Sequence, residues 1–227
     1  MEWVGEFFRT LPMVFSALWE FMRGWAGVAI IIGSGGMIIG FALLSNLDLV
    51  LARVFLDSHE AGIYAAISTV AKVMIFLPSA IAVIMVPRAA RSHAATGESG
   101  RELRVSAGLI AALVGAVAAP AIVAPELVVD LMFGGAYERA VDGVLPALVS
   151  GAALALLYLL ATYSVTIRDR RWVVLLAAGV AAQALAISLF HASAVEVAWA
   201  QAGAVLAVLA ANELLFHALL PRFRSSR

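Results

Sequence analysis

Apolar residues run in long stretches along most of this chain, and short polar segments separate the stretches. About 20 apolar residues in a helix cross the hydrocarbon core of a bilayer, which is about 30 Å thick. Six stretches reach that length: 27–54, 63–87, 104–124, 143–166, 172–190 and 194–219. The pattern predicts an all-α polytopic membrane protein, with a bundle of about six transmembrane helices over residues 25–221.

The first 24 residues follow a different pattern. Polar residues recur there at spacings of three and four, with Met13 at the one gap, which is typical of one face of a helix. These residues are Glu2, Glu6, Arg9, Ser16, Glu20 and Arg23. Large apolar residues such as Phe7 and Phe8 fill the other side, and Pro12 would kink the helix. The pattern predicts that residues 1–24 form an amphipathic helix, either at the membrane interface or as a linker.

The basic residues indicate which loops face the cytoplasm, because cytoplasmic loops are enriched in Lys and Arg. Twelve of the fifteen basic residues lie before the first predicted span, in the second and fourth loops, or after the last span. Loops 56–62 and 191–193 have none, and loop 125–142 has Arg139 among four carboxylates. This alternation predicts six spans in the cytoplasmic membrane, both termini cytoplasmic, and a basic tail at 222–227.

Composition supports a membrane protein and argues against several kinds of partner and site. The chain is 63% hydrophobic and 13% charged, whereas soluble domains have roughly 45–50% apolar and about 25% charged residues. A net charge of zero argues against a nucleic-acid partner. Because the chain has no cysteine, disulfides, thiolate metal sites and thiol catalysis are excluded. The four histidines are scattered without metal-ligand spacing, so we expect no metal site.

Catalytic motifs are absent from the sequence. It contains no GxSxG, HExxH, DxD or glycine-rich phosphate loop, and such chemistry needs those residues at those spacings. We therefore expect a protein that is not an enzyme, with no catalytic residues and no cofactor.

Glycines and a proline mark two of the predicted spans. Gly33, Gly36 and Gly40 form a small-residue stripe on the first span, and Gly36 and Gly40 have GxxxG spacing. Such stripes let helices approach closely, and a hinge is the alternative interpretation. Pro78 lies inside the second span and predicts a bend, which membrane helices tolerate when neighbouring groups satisfy the freed carbonyl.

Two charged residues lie within consecutive predicted spans, Asp48 in the first and Lys72 in the second. A charge at the centre of a bilayer costs at least about 2.5–3.5 kcal/mol. At 1.5 Å per residue, the predicted spans place the two at depths about 6 Å apart.

Three interpretations stay open. The two residues form a structural ion pair, they line a cavity that binds an anionic substrate or a coupling ion, or Lys72 snorkels to the interface. Asn46 and Tyr64 are further candidates for lining such a cavity.

Several segments resemble one known family. They are Asn46-Leu-Asp48, Glu60-Ala-Gly62-Ile-Tyr64-Ala-Ala, Ala71-Lys72, Phe76-Leu-Pro78, Val86-Pro87-Arg88, Pro125-Glu-Leu and Leu131-Met-Phe133-Gly134-Gly-Ala-Tyr137-Glu-Arg-Ala140. In this order they resemble the second half of Wzx-type polysaccharide flippases, in the superfamily of the lipid II flippase MurJ and the MATE antiporters. The resemblance covers roughly residues 25–170.

The resemblance implies a specific function. Members of the family have two lobes of six helices, which open alternately to either side around a cationic cavity. They move undecaprenyl-diphosphate-linked glycans across the cytoplasmic membrane. This chain would be the C-terminal lobe, with residues 1–24 as the linker between lobes. The implied partners are membrane lipid, an anionic lipid-linked glycan, and a second six-helix lobe or a second copy. A MATE-like antiporter of small cations and a non-transporting scaffold of glycan assembly are the alternatives.

Overall fold

The computed structural model describes the backbone of residues 25–96, 100–166 and 171–216. Side chains are described in these ranges except at 25–34, 77–80, 82–96, 100, 102, 136, 166 and 216. The predicted helix over 1–24 and the predicted tail at 222–227 lie outside the described residues.

Every regular element in the described ranges is helical, so the all-α prediction is confirmed. The seven α-helices are α1 (Trp25–Phe55), α2 (Ser58–Thr96), α3 (Gly100–Val123), α4 (Pro125–Phe133), α5 (Val144–Thr166), α6 (Arg171–Leu189) and α7 (Ala194–Phe216). A 3₁₀ segment, Gly135–Gly143, joins α4 to α5.

Five described segments are long and apolar enough to cross a membrane, one fewer than the six predicted. They are Gly35–Phe55, Leu103–Val123, Tyr137–Val165, Arg171–Leu189 and Ala194–Leu215. The predicted span 63–87 is not among them. It lies in α2, a helix of 39 residues in which Glu60 and Lys72 interrupt the apolar sequence and many side chains are not described. The described residues therefore show a multi-pass helical membrane protein with five candidate spans.

Helix α5 is the centre of the bundle. In the segment that contains it, 72% of the most apolar part is buried, compared with 22–44% for the other four candidate spans. The helix packs against α2, α3 and α7, as expected for a helix that is apolar on all sides. Its closest approach is to α2, where a Cβ added at Gly151 would lie 2.5 Å from the Ala71 carbonyl oxygen.

Helix α1 packs along α6 through two of the glycines in the predicted stripe. A Cβ at Gly36 would lie 3.1 Å from Cγ1 of Val173, and one at Gly40 would lie 3.0 Å from Cβ of Leu176. The absence of side chains at these positions lets the two helices come close. The surroundings of Gly33 are outside the described set. Helix α2 continues through Pro78, whose side chain is not described.

Candidate functional site

A tight connection sets α1 and α2 side by side at one end of the bundle. Asp57 lies between the two helices, and its Oδ1 accepts hydrogen bonds from the backbone N–H groups of His59 (2.8 Å) and Glu60 (2.9 Å). This is an N-cap, which satisfies donors that the first turn of a helix leaves free. The N–H groups of Glu60 and His59 also lower the pKa of Asp57 below its ordinary value of 3.8. We call this end of the bundle, which also holds the α6–α7 connection at 190–193, the hairpin end.

Asp48 is a buried carboxylate that two hydroxyl groups of α2 contact. Asp48 is 3% exposed. Its Oδ2 accepts hydrogen bonds from the Tyr64 hydroxyl at 2.7 Å and the Ser68 hydroxyl at 3.2 Å. Hydrogen bonds to a charged acceptor contribute about 1.5–3 kcal/mol each, so the two donors offset part of the cost of burying the carboxylate. The other oxygen, Oδ1, is buried without a hydrogen-bond partner among the described residues.

Lys72 lies on the same side of α2 as Tyr64 and Ser68, the two residues that contact Asp48. Tyr64, Ser68 and Lys72 are spaced by four, which places them on one side of α2. We call these three residues together with Asp48 the polar cluster.

In the described part of the chain, no ion pair within 4.0 Å joins Lys72 to Asp48, whereas Arg139 and Glu60 do form an ion pair. The structure therefore does not show the direct structural pair that was one interpretation of the sequence.

The register of the two helices explains the missing contact. Helix α2 begins at Ser58, five residues earlier than predicted. Asp48 is seven residues from the end of α1, and Lys72 is fourteen residues into α2, so the two Cα atoms differ in depth by roughly 10 Å at 1.5 Å per residue. The sequence-based estimate of about 6 Å was too small because it placed the start of the second span too late.

Asp48 and Lys72 nevertheless line the same cavity, which four helices enclose. Helix α1 contributes Ser45 and Asp48, α5 contributes Ser150, α7 contributes Gln201, and α2 contributes the other members of the polar cluster. The cavity volume is about 10 Å³, which is roughly what one water molecule requires. It is too small for a sugar or a diphosphate group.

Two glutamine side chains extend the polar contacts across the bundle. The Gln183 amide of α6 donates a hydrogen bond to Gln201 Oε1 of α7. Gln201 Nε2 in turn donates to the Leu44 carbonyl of α1 at 3.1 Å. Sequence reasoning did not place either glutamine in the site. A signal was present, because each lies six or seven residues from the hairpin end of its helix, the same depth as Asp48.

Asn46, a predicted cavity residue, lies elsewhere. It is exposed, and its Nδ2 donates to the Ala42 carbonyl at 2.8 Å and the Ser45 hydroxyl at 3.0 Å. Asn46 therefore faces away from the polar cluster. Tyr64, by contrast, is 1% exposed and lines the cavity.

A second set of contacts closes the hairpin end. Glu60 Oε1 lies 2.9 Å from the Arg139 guanidinium, and Glu60 Oε2 accepts a hydrogen bond from the Ala194 N–H at 2.8 Å. These contacts tie α2 to the 3₁₀ segment and to the first residue of α7. We call Glu60, Arg139 and the Ala194 N–H the end clamp.

A wide acidic groove lies beside this clamp. It has a volume of about 790 Å³, and its four charged residues are all carboxylates: Glu126, Asp130, Glu138 and Asp142. Among the described residues, no three acidic or histidine side chains are arranged to hold a metal ion. Since carboxylates repel anions, this groove does not suit an anionic head group despite its size.

No protein-family model matches this chain, and no curated protein or solved structure matches it.

Proposed function

We propose that this chain is a membrane transport protein that moves lipid-linked oligosaccharide or polysaccharide precursors across the cytoplasmic membrane. The observation that carries the proposal is the environment of Lys72. It is half-buried in an apolar helix, and within the described residues no ion pair or hydrogen bond engages its ammonium group. A cation in such a place offsets the cost of removing a diphosphate from water, while the isoprenoid tail stays in the lipid.

The cavity size indicates that the substrate path lies beside this bundle rather than inside it. A volume of about 10 Å³ excludes a head group from the space between α1, α2, α5 and α7. We therefore propose that the chain forms one lobe of a transporter, with the path between this lobe and a second lobe or a second copy, and that the exposed part of the half-buried Lys72 side chain faces this path. Asn46 supports this arrangement, because an exposed polar side chain on a membrane span is expected to face protein or a water-filled path.

The six-span topology is part of the proposal. In it α2 also crosses the membrane, which adds a sixth span to the five candidate spans, and both termini face the cytoplasm. A reporter fused at Ser58 is then expected outside the cell, and reporters at either terminus inside. A terminus found outside the cell contradicts this topology.

The MATE-like alternative fits the site less well. The Asp48 carboxylate already accepts two hydrogen bonds, and Lys72 repels a small organic cation from the same cavity. A non-transporting scaffold is the stronger alternative, since the cavity that Asp48 and Lys72 line is too small for a substrate. Lipid-linked glycan that co-purifies with the protein favours transport over the scaffold.

The test is glycan export in a strain that lacks its flippase, with this chain and a matching first lobe expressed together. We expect Lys72→Ala to abolish export. Lys72→Arg is expected to retain part of it, because the charge persists while the geometry changes. The control is Thr69→Ala, at an exposed neighbouring position whose hydroxyl bonds the Ala65 carbonyl of its own helix. Full export by Lys72→Ala, with the protein inserted at normal levels, would overturn the proposal.

A further inference from the structure

We infer that the cavity among α1, α2, α5 and α7 binds one water molecule, which bridges Asp48 Oδ1 and the Lys72 ammonium group. The inference depends on geometry alone and holds whether or not the chain is a transporter. It makes Asp48 and Lys72 an ion pair whose members interact through water.

One oxygen of the Asp48 carboxylate has no hydrogen-bond partner among the described residues. Asp48 is 97% buried, and both described hydrogen bonds to its side chain go to Oδ2. Oδ1 is buried without a partner, although Asp48 lines the cavity. Buried polar atoms nearly always have a hydrogen-bond partner, from the protein or from ordered water. A donor is therefore expected in the cavity.

The hydroxyl groups that line the cavity already donate hydrogen bonds to acceptors other than Asp48 Oδ1. Ser45 donates to the Phe41 carbonyl and Ser150 to the Ala147 carbonyl. Tyr64 and Ser68 donate to the other oxygen of Asp48. Lys72 lines the same cavity but is not within 4.0 Å of the carboxylate. Lys72 thus lines the cavity without direct contact with the carboxylate, which leaves room for a mediator between the two.

The size and polarity of the cavity also fit one water molecule. The cavity volume of about 10 Å³ corresponds to roughly one water molecule, and a buried water needs two to four polar partners. Here it accepts a hydrogen bond from Lys72 and donates one to Asp48 Oδ1. The hydroxyl oxygens of Ser45 and Ser150, in the same lining, can accept its second hydrogen. A metal cation fits poorly, because the ammonium group repels it.

The direct test is a structure of the assembled protein at a resolution that shows ordered water. We expect one density peak about 2.7–3.2 Å from both Asp48 Oδ1 and Lys72 Nζ. Three results would overturn the inference: a direct contact between these two atoms, a cavity without density, or a peak with several oxygens at the shorter distances typical of a metal ion.

A thermodynamic cycle tests the same point in solution. Ala198 is buried and lines the cavity, so Ala198→Val fills part of the space that the water needs. In the wild-type background, displacing the water leaves Asp48 and Lys72 unsatisfied, and we expect Tm to fall by about 4–8 °C. In the Asp48→Leu/Lys72→Met background the two charged groups that the water would bridge are absent, and the same substitution should lower Tm by less than half as much.

The cycle separates water loss from crowding, because steric strain from the added methyl groups acts in both backgrounds. Equal losses of Tm in the two backgrounds would show that the cavity holds no bridging water. Salt provides a further control. A rise in Tm with sodium chloride that potassium chloride and choline chloride do not produce at equal ionic strength would identify a sodium ion instead.

Discussion

The polar cluster and the end clamp hold an acidic side chain in two different ways. In the clamp, Glu60 pairs directly with Arg139, whose side chain is 65% exposed. In the cluster, Asp48 is buried and accepts hydrogen bonds from neutral hydroxyl groups, while Lys72 stays out of direct contact. At the end of the bundle water reaches the Arg139 guanidinium, whereas the Glu60 side chain is only 15% exposed, so a direct pair forms with one member still hydrated. Deeper in the bundle, each carboxylate oxygen needs its own donor.

The difference predicts that the two regions respond unequally to loss of a partner. Removing a group from the polar cluster leaves a buried polar atom without water, which costs about 1–3 kcal/mol or more for a charge. Removing a group from the end clamp lets water replace it, and exposed ion pairs contribute a median of about 0–1 kcal/mol.

The largest effect is expected from Tyr64→Phe. The substitution removes the 2.7 Å hydrogen bond to the Asp48 carboxylate and keeps the ring that fills the core. A hydrogen bond to a charged group contributes about 1.5–3 kcal/mol, and we expect that loss in the free energy of unfolding, measured by thermal unfolding in detergent. Ser68→Ala removes the longer bond of 3.2 Å and should cost less. If Tyr64→Phe is as stable as the wild type, Asp48 does not depend on this donor.

A smaller effect is expected at the end clamp from Glu60→Gln. The amide oxygen can still accept from the Ala194 N–H, but the charge that pairs with Arg139 is lost. Because the Arg139 side chain is largely exposed, we expect a loss of at most about 1 kcal/mol, and less at high salt. The measurement is Tm at low and high sodium chloride for the variant, the wild type and Arg139→Gln. A loss as large as that of Tyr64→Phe would remove the distinction between the two regions.

The smallest effect is expected at Asp57 and appears as a pH dependence. Hydrogen bonds from the N–H groups of Glu60 and His59 lower the pKa of Asp57, so the folded state favours the ionised carboxylate. The stability from this cap is fully present above the ordinary value of 3.8. It is lost as the pH falls through the lower pKa of the folded state.

The matched control is Asp57→Asn, which caps the helix at every pH. We expect the wild type to lose Tm relative to this variant between pH 5 and pH 2, as roughly set by the pKa of an aspartate. A constant difference between the two proteins over this range would contradict the prediction.

Sequence alone determined the six long helices and most of their ends, but not the short helix α4 (Pro125–Phe133), which lies in the predicted loop 125–142. Long apolar stretches leave the backbone no hydrogen-bond partners in lipid except its own, so they form helices. The predicted spans 172–190 and 194–219 correspond closely to α6 (Arg171–Leu189) and α7 (Ala194–Phe216). The predicted second span is less accurate, because α2 begins among the polar residues that follow the Asp57 cap. Asp48, Tyr64 and Lys72 also stood out in the sequence as site candidates, since a polar residue in an apolar helix is rare.

Only the tertiary structure decided which polar groups meet. Asp48 and Asn46 are two residues apart, about 200° around a helix, and nothing in their apolar surroundings shows which of them faces inward. The absence of an ion pair between Asp48 and Lys72, and the contact of Gln183 with Gln201, depend on the rotation and relative depth of separate helices. Spans that are apolar on all sides carry little information about either quantity. Packing against neighbouring helices sets both.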